Sequence, residues 1–204
     1  VLRRHWFQSS DRAYTSTCPV IVIGNLTAGG TGKTPLVIYL AKQLQEQGYK
    51  PGIVSRGYGA KPKTLPFVVT PESPYLESGE EPLMIARRTQ CPVIIDPDRV
   101  QAVKYLEQYF SCDIIISDDG MQHYALNRSL EIAVIDGQRG FGNGMLLPAG
   151  PLREKPERLA TVDIVVCNGE ALVEMPPATQ RMDFIATQLV HLIDNTELSV
   201  SDAA

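Results

Sequence analysis

No stretch of this 204-residue chain comes near the ~18 consecutive apolar residues that a membrane-spanning helix needs. No signal-peptide pattern opens it either. Positive charge is not in excess: 19 lysines and arginines stand against 23 aspartates and glutamates, a net charge of −4. A nucleic-acid binder advertises a basic face, so nucleic acid is not expected as a partner. The four cysteines, Cys18, Cys91, Cys112 and Cys167, include no CxxC pair. Three of them lie in or beside apolar runs, and free buried thiols in a reducing compartment are expected rather than a metal site or disulfides. There is no internal repeat and no low-complexity segment. What remains, 44% hydrophobic and 21% charged, is ordinary for a globular protein. The length suits one generous domain, or one domain with part of another.

What the chain does have is a strand, a glycine turn and a helix in immediate succession. The β-branched run Val20–Ile23 feeds Gly24-Asn25-Leu26-Thr27-Ala28-Gly29-Gly30-Thr31-Gly32-Lys33-Thr34, which opens onto an apolar helical stretch from Leu36 to Leu44. That order is the context of a phosphate-binding P-loop. Glycines let the backbone curl so that successive N–H groups face a phosphate, and the following helix aims its positive end at the same point. Thr27 to Thr34 are thus the expected ATP-binding residues: Thr27, Ala28, Gly29, Gly30, Thr31, Gly32, Lys33 and Thr34. Lys33 would reach the terminal phosphates and the Thr34 hydroxyl would ligate Mg²⁺. The usual glycine six residues before the lysine is replaced by Thr27. The position where a subclass of such ATPases carries a second lysine is Ala28. Guanine-specific relatives read the base with Asn-Lys-x-Asp after a late strand; here that place holds Asn168-Gly169-Glu170, which favours ATP.

Further apolar runs are expected as strands at residues 50–55, 92–96, 113–118, 131–136 and 163–168. Helices are expected near 82–88 and 99–110, the second with Asp98 as N-cap. Pro82 and the pair Glu80-Glu81 suit the first turn of the earlier helix. Apolar strands that are continuous rather than alternating, separated by helices, indicate a mostly parallel sheet covered on both faces. Residues 65–69 read as an edge strand or part of a hairpin, and a short β-hairpin insertion is expected there. The fold class is therefore α/β, P-loop NTPase-like.

Ligands in open parallel sheets sit beyond the carboxyl ends of the strands. Asp118 and Asp119 end an apolar strand where P-loop enzymes keep an aspartate that supports Mg²⁺, and either could serve. Gln122 and His123 follow at once. Arg56 and Tyr58 occupy the loop Ser55–Gly59, where a guanidinium could clamp phosphate. Asp136 also ends a strand, but a turn role suits it better. The long loop from Phe141 to Glu154 is glycine-rich and apolar without helix or strand period, the character of a lid or platform.

Five runs together carry a resemblance: Gly24–Thr27 with Gly29–Pro35, Ser55–Gly59, Gly79-Glu80-Glu81-Pro82, Asp118–His123, and Phe141–Gly144 through Glu154. In that order, over residues 19 to 170, they resemble the tetraacyldisaccharide 4'-kinase (lipid A 4'-kinase) family. The resemblance implies transfer of the ATP γ-phosphate to the 4'-hydroxyl of a tetraacylated disaccharide 1-phosphate, with Mg²⁺, at the cytoplasmic face of the bacterial inner membrane. It implies that Glu80 stands where the family has an aspartate acting as general base, helped by a histidine of a second lobe; His191 is not assigned to that role. Glutamate's extra methylene displaces the carboxylate by ~1.5 Å at most. It also implies a longer protein. Residues 1–18, with the basic–aromatic start Val1-Leu2-Arg3-Arg4-His5-Trp6-Phe7, are expected as an N-terminal stub beside a membrane-proximal segment. Residues 19–170 are expected as the kinase domain, and 171–204 as the start of a C-terminal lobe.

On this reading Glu80, Lys33 and Asp118 are catalytic, and Thr34 with Asp118 or Asp119 manages the metal. Arg56, Tyr58, Arg99, Gln122 and His123 line the acceptor site. The partners are the lipid A disaccharide precursor and the inner membrane surface. The alternatives are a nucleotide-switched ATPase that binds a membrane or protein partner without a phosphoacceptor, and a kinase for another small hydroxyl compound.

Overall fold

The computed structural model describes residues 13–185, 188–190 and 197–199. Residues 1–12 of the expected stub and, towards the other end, 186–187, 191–196 (His191 included) and 200–204 lie outside the described residues.

Eight strands form one sheet. In chain order they are β1 (Val20–Gly24), β2 (Pro51–Ser55), β3 (Phe67–Val69), β4 (Val93–Ile95), β5 (Ile114–Asp118), β6 (Leu130–Asp136), β7 (Ile164–Asn168) and β8 (Gln180–Met182). Their spatial order is β3-β4-β2-β5-β1-β6-β7-β8, and every pairing is parallel except β3 with β4. The helices are α1 (Lys33–Glu46), α2 (Tyr75–Ser78), α3 (Glu80–Thr89) and α4 (Arg99–Tyr109), with a 3₁₀ turn at Pro156–Thr161. Strands β9 (Gln188–Val190) and β10 (Glu197–Ser199) pair with each other antiparallel, apart from the main sheet.

The continuous apolar runs follow from a sheet with two dry faces. Val20, Val22, Val54, Ile94, Ile115, Ala133 and Val165 turn to one side, where they meet Ala102, Val103 and Leu106 of α4. Their neighbours Ile21, Ile23, Ile53, Val93, Ile95, Ile116, Val134 and Val166 turn to the other, against Val37 and Ala41 of α1 and Leu83, Ile85 and Ala86 of α3. Side chains alternate along a strand, so neither face can hold a polar set without opening a core to water. Each fully buried isoleucine adds roughly 1.5–3 kcal/mol.

The segment expected to hold a hairpin contributes a single edge strand. Pro62 and Pro66 lack the N–H groups a second arm would need. Only Phe67–Val69 extends, and it pairs with the otherwise open edge of β4. At the other edge the sheet continues past residue 170, because Gln180–Met182 adds to β7. Asp98 caps α4 as expected, its carboxylate accepting the Val100 N–H at 3.0 Å. Asp136 builds a turn: its side chain accepts the N–H groups of Gln138 and Arg139 and pairs with the Arg139 guanidinium. Among the described residues no helix is long and apolar enough to cross a membrane.

Candidate active site

β1 and β5 lie side by side in the middle of the sheet, and the loops leaving their carboxyl ends meet there. After β1 the chain turns through Gly29 and Gly32, with φ of 101° and 94°. That left-handed region is strained for residues bearing a Cβ. Gly32 is also the N-cap of α1; no side chain caps the helix, and its first turn holds no acidic residue. The unsatisfied N–H groups and positive end of α1 therefore open toward the loop, an arrangement suited to an anion. Thr31, Gly32, Lys33 and Thr34 line a cleft of about 290 Å³ whose far side is Glu80, Glu81 and Met84 of α3. Gly79, with φ of 78°, sets the direction from which Glu80 starts that helix.

The first two residues of the expected phosphate loop meet the 141–154 segment. Thr27 bridges to Leu152, and the Ala28 N–H donates to the Pro151 carbonyl at 2.8 Å. They fasten the loop to that segment, and the Ala28 N–H is taken up by the contact. Arg139, held by Asp136, reaches the Gly30 carbonyl. Asn168 at the end of β7 donates to the Thr31 carbonyl at 3.3 Å.

The two carboxylates ending β5 have unequal surroundings. Asp118 is buried, 1% exposed; one oxygen accepts the Ser55 hydroxyl at 3.0 Å and the other, Oδ1, has no partner. Burial, then repulsion from Glu81 and Asp119, pushes its pKa up to about 6, against smaller opposing effects of Ser55 and Lys33. Asp119 pairs with Lys33 at 3.4 Å and with Arg153 at 3.0 Å. Burial alone would raise its pKa, but those two cations hold it below the usual carboxylate range. Asp119 is thus directly paired with two cations, whereas Asp118, which feels Lys33 and Arg99 only through space, presents a dry oxygen with no hydrogen-bond partner. Of the two, Asp118 better fits a metal ion, with the buried Thr34 hydroxyl on the neighbouring helix start.

A second cleft of about 720 Å³ opens beside Asp119. Arg56, Asp98, Arg99, Gln122, His123, Leu147 and Arg153 line it. Four of the five residues expected at an acceptor site therefore converge. Arg99 is buried and donates to the carbonyls of Asp96 at 3.0 Å and Asp119 at 3.4 Å. Desolvation lowers its pKa to about 10, which leaves it cationic at neutral pH. His123 faces Asp98 at 3.5 Å. Gln122 donates to the Asn25 carbonyl at 3.0 Å and to Glu154 at 2.9 Å. Tyr58 does not join them: its side chain is 84% exposed on the β2–β3 loop and lines neither cleft.

Two residues at this site carried no role in the sequence reading. Arg153 and Glu154 end the aperiodic 141–154 loop, and their sites of action lie about thirty residues back in the chain. A charged pair closing an apolar, glycine-rich loop was the visible signal; its partners were not.

A mostly parallel sheet, a glycine loop running from a central strand into a helix, and an acidic strand end alongside define the P-loop NTPase-like α/β class. Comparison with known proteins narrows this. The family model of tetraacyldisaccharide-1-P 4'-kinase matches residues 1–202. A tetraacyldisaccharide 4'-kinase of Pasteurella multocida is 56% identical over 160 residues, 78% of this chain and 49% of that protein. One of Vibrio campbellii is 48% identical over 203 residues, 98% of this chain and 59% of that protein. Among solved structures, the "apo" form of LpxK from Aquifex aeolicus in complex with ATP matches with a TM-score of 0.80 at 27% identity. The match covers 98% of this chain and 65% of that one. The chain belongs to the tetraacyldisaccharide-1-P 4'-kinase family. It spans about half the length of the curated relatives it matches.

Proposed function

We propose that this chain carries the nucleotide and acceptor sites of an ATP- and Mg²⁺-dependent kinase. The enzyme transfers the γ-phosphate to the 4'-hydroxyl of a tetraacyldisaccharide 1-phosphate at the cytoplasmic face of the inner membrane. The carrying observation is that Lys33 of the glycine-loop cleft and Asp119 of the cationic cleft are ion-paired at 3.4 Å, so the two clefts adjoin. A phosphate held in one lies within reach of a hydroxyl held in the other.

The residues divide the work accordingly. Amides after Ala28 and the Lys33 ammonium hold the terminal phosphates of ATP. Arg56, Arg99 and Arg153 surround the anionic sugar head, which Gln122 and His123 orient. Glu80 accepts the 4'-hydroxyl proton as that oxygen bonds to the γ-phosphorus and the bond to the ADP oxygen breaks. Asp118, with Thr34, would hold Mg²⁺, which supplies charge neutralisation at the phosphates; the unpartnered Asp118 Oδ1 and its raised pKa are what such an ion would relieve. Preorganised charge and position are what phosphoryl transfer asks of a protein.

The test is phosphate transfer from labelled ATP to tetraacyldisaccharide 1-phosphate by the intact protein. The expected result is a product phosphorylated at the 4'-position, formed only with both acceptor and Mg²⁺. ATP turnover indifferent to the acceptor would point instead to a nucleotide-switched ATPase.

A further inference from the structure

Beside the cationic cleft three consecutive apolar side chains stand in water: Met145, Leu146 and Leu147 are 55%, 38% and 54% exposed. Apolar exposure on a slack loop would mean little. This loop is braced. The Leu147 N–H donates to the Leu152 carbonyl at 2.8 Å, the Leu152 N–H to Met145 at 3.1 Å and the Gly150 N–H to Leu146 at 3.1 Å. Asn143 clamps both sides of the tip, donating to the Ala149 carbonyl at 3.0 Å and accepting the Met145 N–H at 3.1 Å. Gly150 passes so close that a Cβ there would lie 2.1 Å from the Asn143 side-chain oxygen. Leu152, fully buried, anchors the base. The backbone thus fixes the three side chains outward, and contiguous exposed apolar surface of this kind marks a binding site.

Leu147 belongs to both surfaces: it is part of the exposed tip and also lines the cleft with Arg56, Arg99 and Arg153. That cleft holds three guanidiniums against two carboxylates, Asp98 and Asp119, a balance that favours an anionic head. An amphiphile with its charged head among the arginines would have its chains leave the cleft over Leu147. We infer that the Met145–Leu147 tip seats the acyl chains of the phosphorylated lipid acceptor while its sugar head occupies the cleft. This rests on the proposed kinase reading and adds to it the surface that separates an acylated acceptor from a bare sugar phosphate.

The test is binding by the intact protein, in the presence of a non-hydrolysable ATP analogue. The variants are Met145→Ser with Leu146→Ser, and Leu146→Ser alone. The probes are tetraacyldisaccharide 1-phosphate and the same compound stripped of its chains. Moving a leucine-sized side chain out of water is worth roughly tenfold in affinity or somewhat more. The double variant should lose about tenfold or more for the acylated probe and less than about twofold for the stripped one. The single variant should move the same way by a smaller factor. Equal losses for both probes would mean a distorted cleft, and no loss for either would mean an idle tip; each overturns the inference. An equal loss of binding to phosphatidylglycerol vesicles that contain no acceptor would assign the tip to the bilayer instead. A melting temperature lowered by more than about 4 °C would show the tip packed within the intact protein, and would also overturn it. If the unmodified protein binds the acylated probe through the tip yet transfers no phosphate, the kinase reading fails and this one stands.

Discussion

Replacing Asp118 by asparagine sets stability against function in a measurable way. In the metal-free, nucleotide-free protein the Asp118 carboxylate is buried, with one oxygen unpartnered and Glu81 and Asp119 adding like charge. Its pKa is pushed to about 6 from an ordinary 3.8. That rise, at ~1.36 kcal/mol for each tenfold change in proton affinity, is on the order of 3 kcal/mol. The folded state holds this proton more tightly than the unfolded state, so the associated stability is fully present below about pH 4 and lost as pH rises through about 6. Asparagine resembles the protonated form and can still meet the Ser55 hydroxyl. At pH 8 in chelator, Asp118→Asn should be more stable than the native chain by about 2–3 kcal/mol. For a chain of this length that raises the melting temperature by roughly 5–10 °C. At pH 4 the two should coincide. Urea denaturation at pH 8, 6 and 4 reads the difference directly. A variant less stable at pH 8, or a gap unchanged across that range, would refute the reasoning. Mg²⁺ with ATP should reverse the order, because a ligand that binds only the folded native site stabilises it by mass action and the variant binds it poorly.

Three further outcomes follow from the same geometry. Glu131 lies buried between Arg128, at 2.6 Å, and Arg158; Glu131→Ala takes that carboxylate from both guanidiniums, leaving Arg158 only Glu154 at 3.6 Å as a charged partner, and should cost about 3 kcal/mol, read as a lower denaturation midpoint, while Glu131→Gln should cost less. Arg128 also donates to the carbonyls of Met121 and His123, so the alanine variant should weaken acceptor binding more than nucleotide binding, as separate titrations would show. Lys33→Met removes a charged contact to phosphate worth about 1.5–3 kcal/mol, so ATP affinity should fall roughly 10- to 150-fold by calorimetry. Its fold should hold, since Asp119 keeps Arg153. Glu80→Asp shortens the proposed base by one methylene; if the carboxylate is displaced in the native chain, the rate constant for transfer should rise, by up to ~100-fold, with nucleotide affinity unchanged.

Much of the architecture was legible because it depends on local chemistry. A short uninterrupted apolar run that is bounded by turn residues and separated from the next by a helix reads as a strand with both faces covered, and β1, β5, β6 and β7 fall where such runs do. The Asp98 cap and the glycine turn before Lys33 need a particular residue at a particular backbone angle, which a sequence displays. Elements whose stability comes from elsewhere were not legible. Residues 65–69 could have been a hairpin arm or an edge strand, and the open side of β4 decided between them. β8, three residues long, has no pattern of its own and exists by pairing with β7.

The site divides in the same manner. Sequence alone displayed the residue types proposed for the chemistry: the loop from Thr27 to Thr34, the two aspartates at the end of β5, and the charged and polar groups that follow other strand ends. The tertiary structure decided their relations. It separated Asp118 from Asp119 by burial, one dry with an unpartnered oxygen, the other clasped by Lys33 and Arg153. It brought Arg56, Arg99, Gln122 and His123 to one cleft and left Tyr58 outside it. The reason is physical: residue identity fixes what a group can donate, accept or ionise. Partners and dielectric depend on which strand ends the sheet order makes neighbours, and those lie tens of residues apart in the chain.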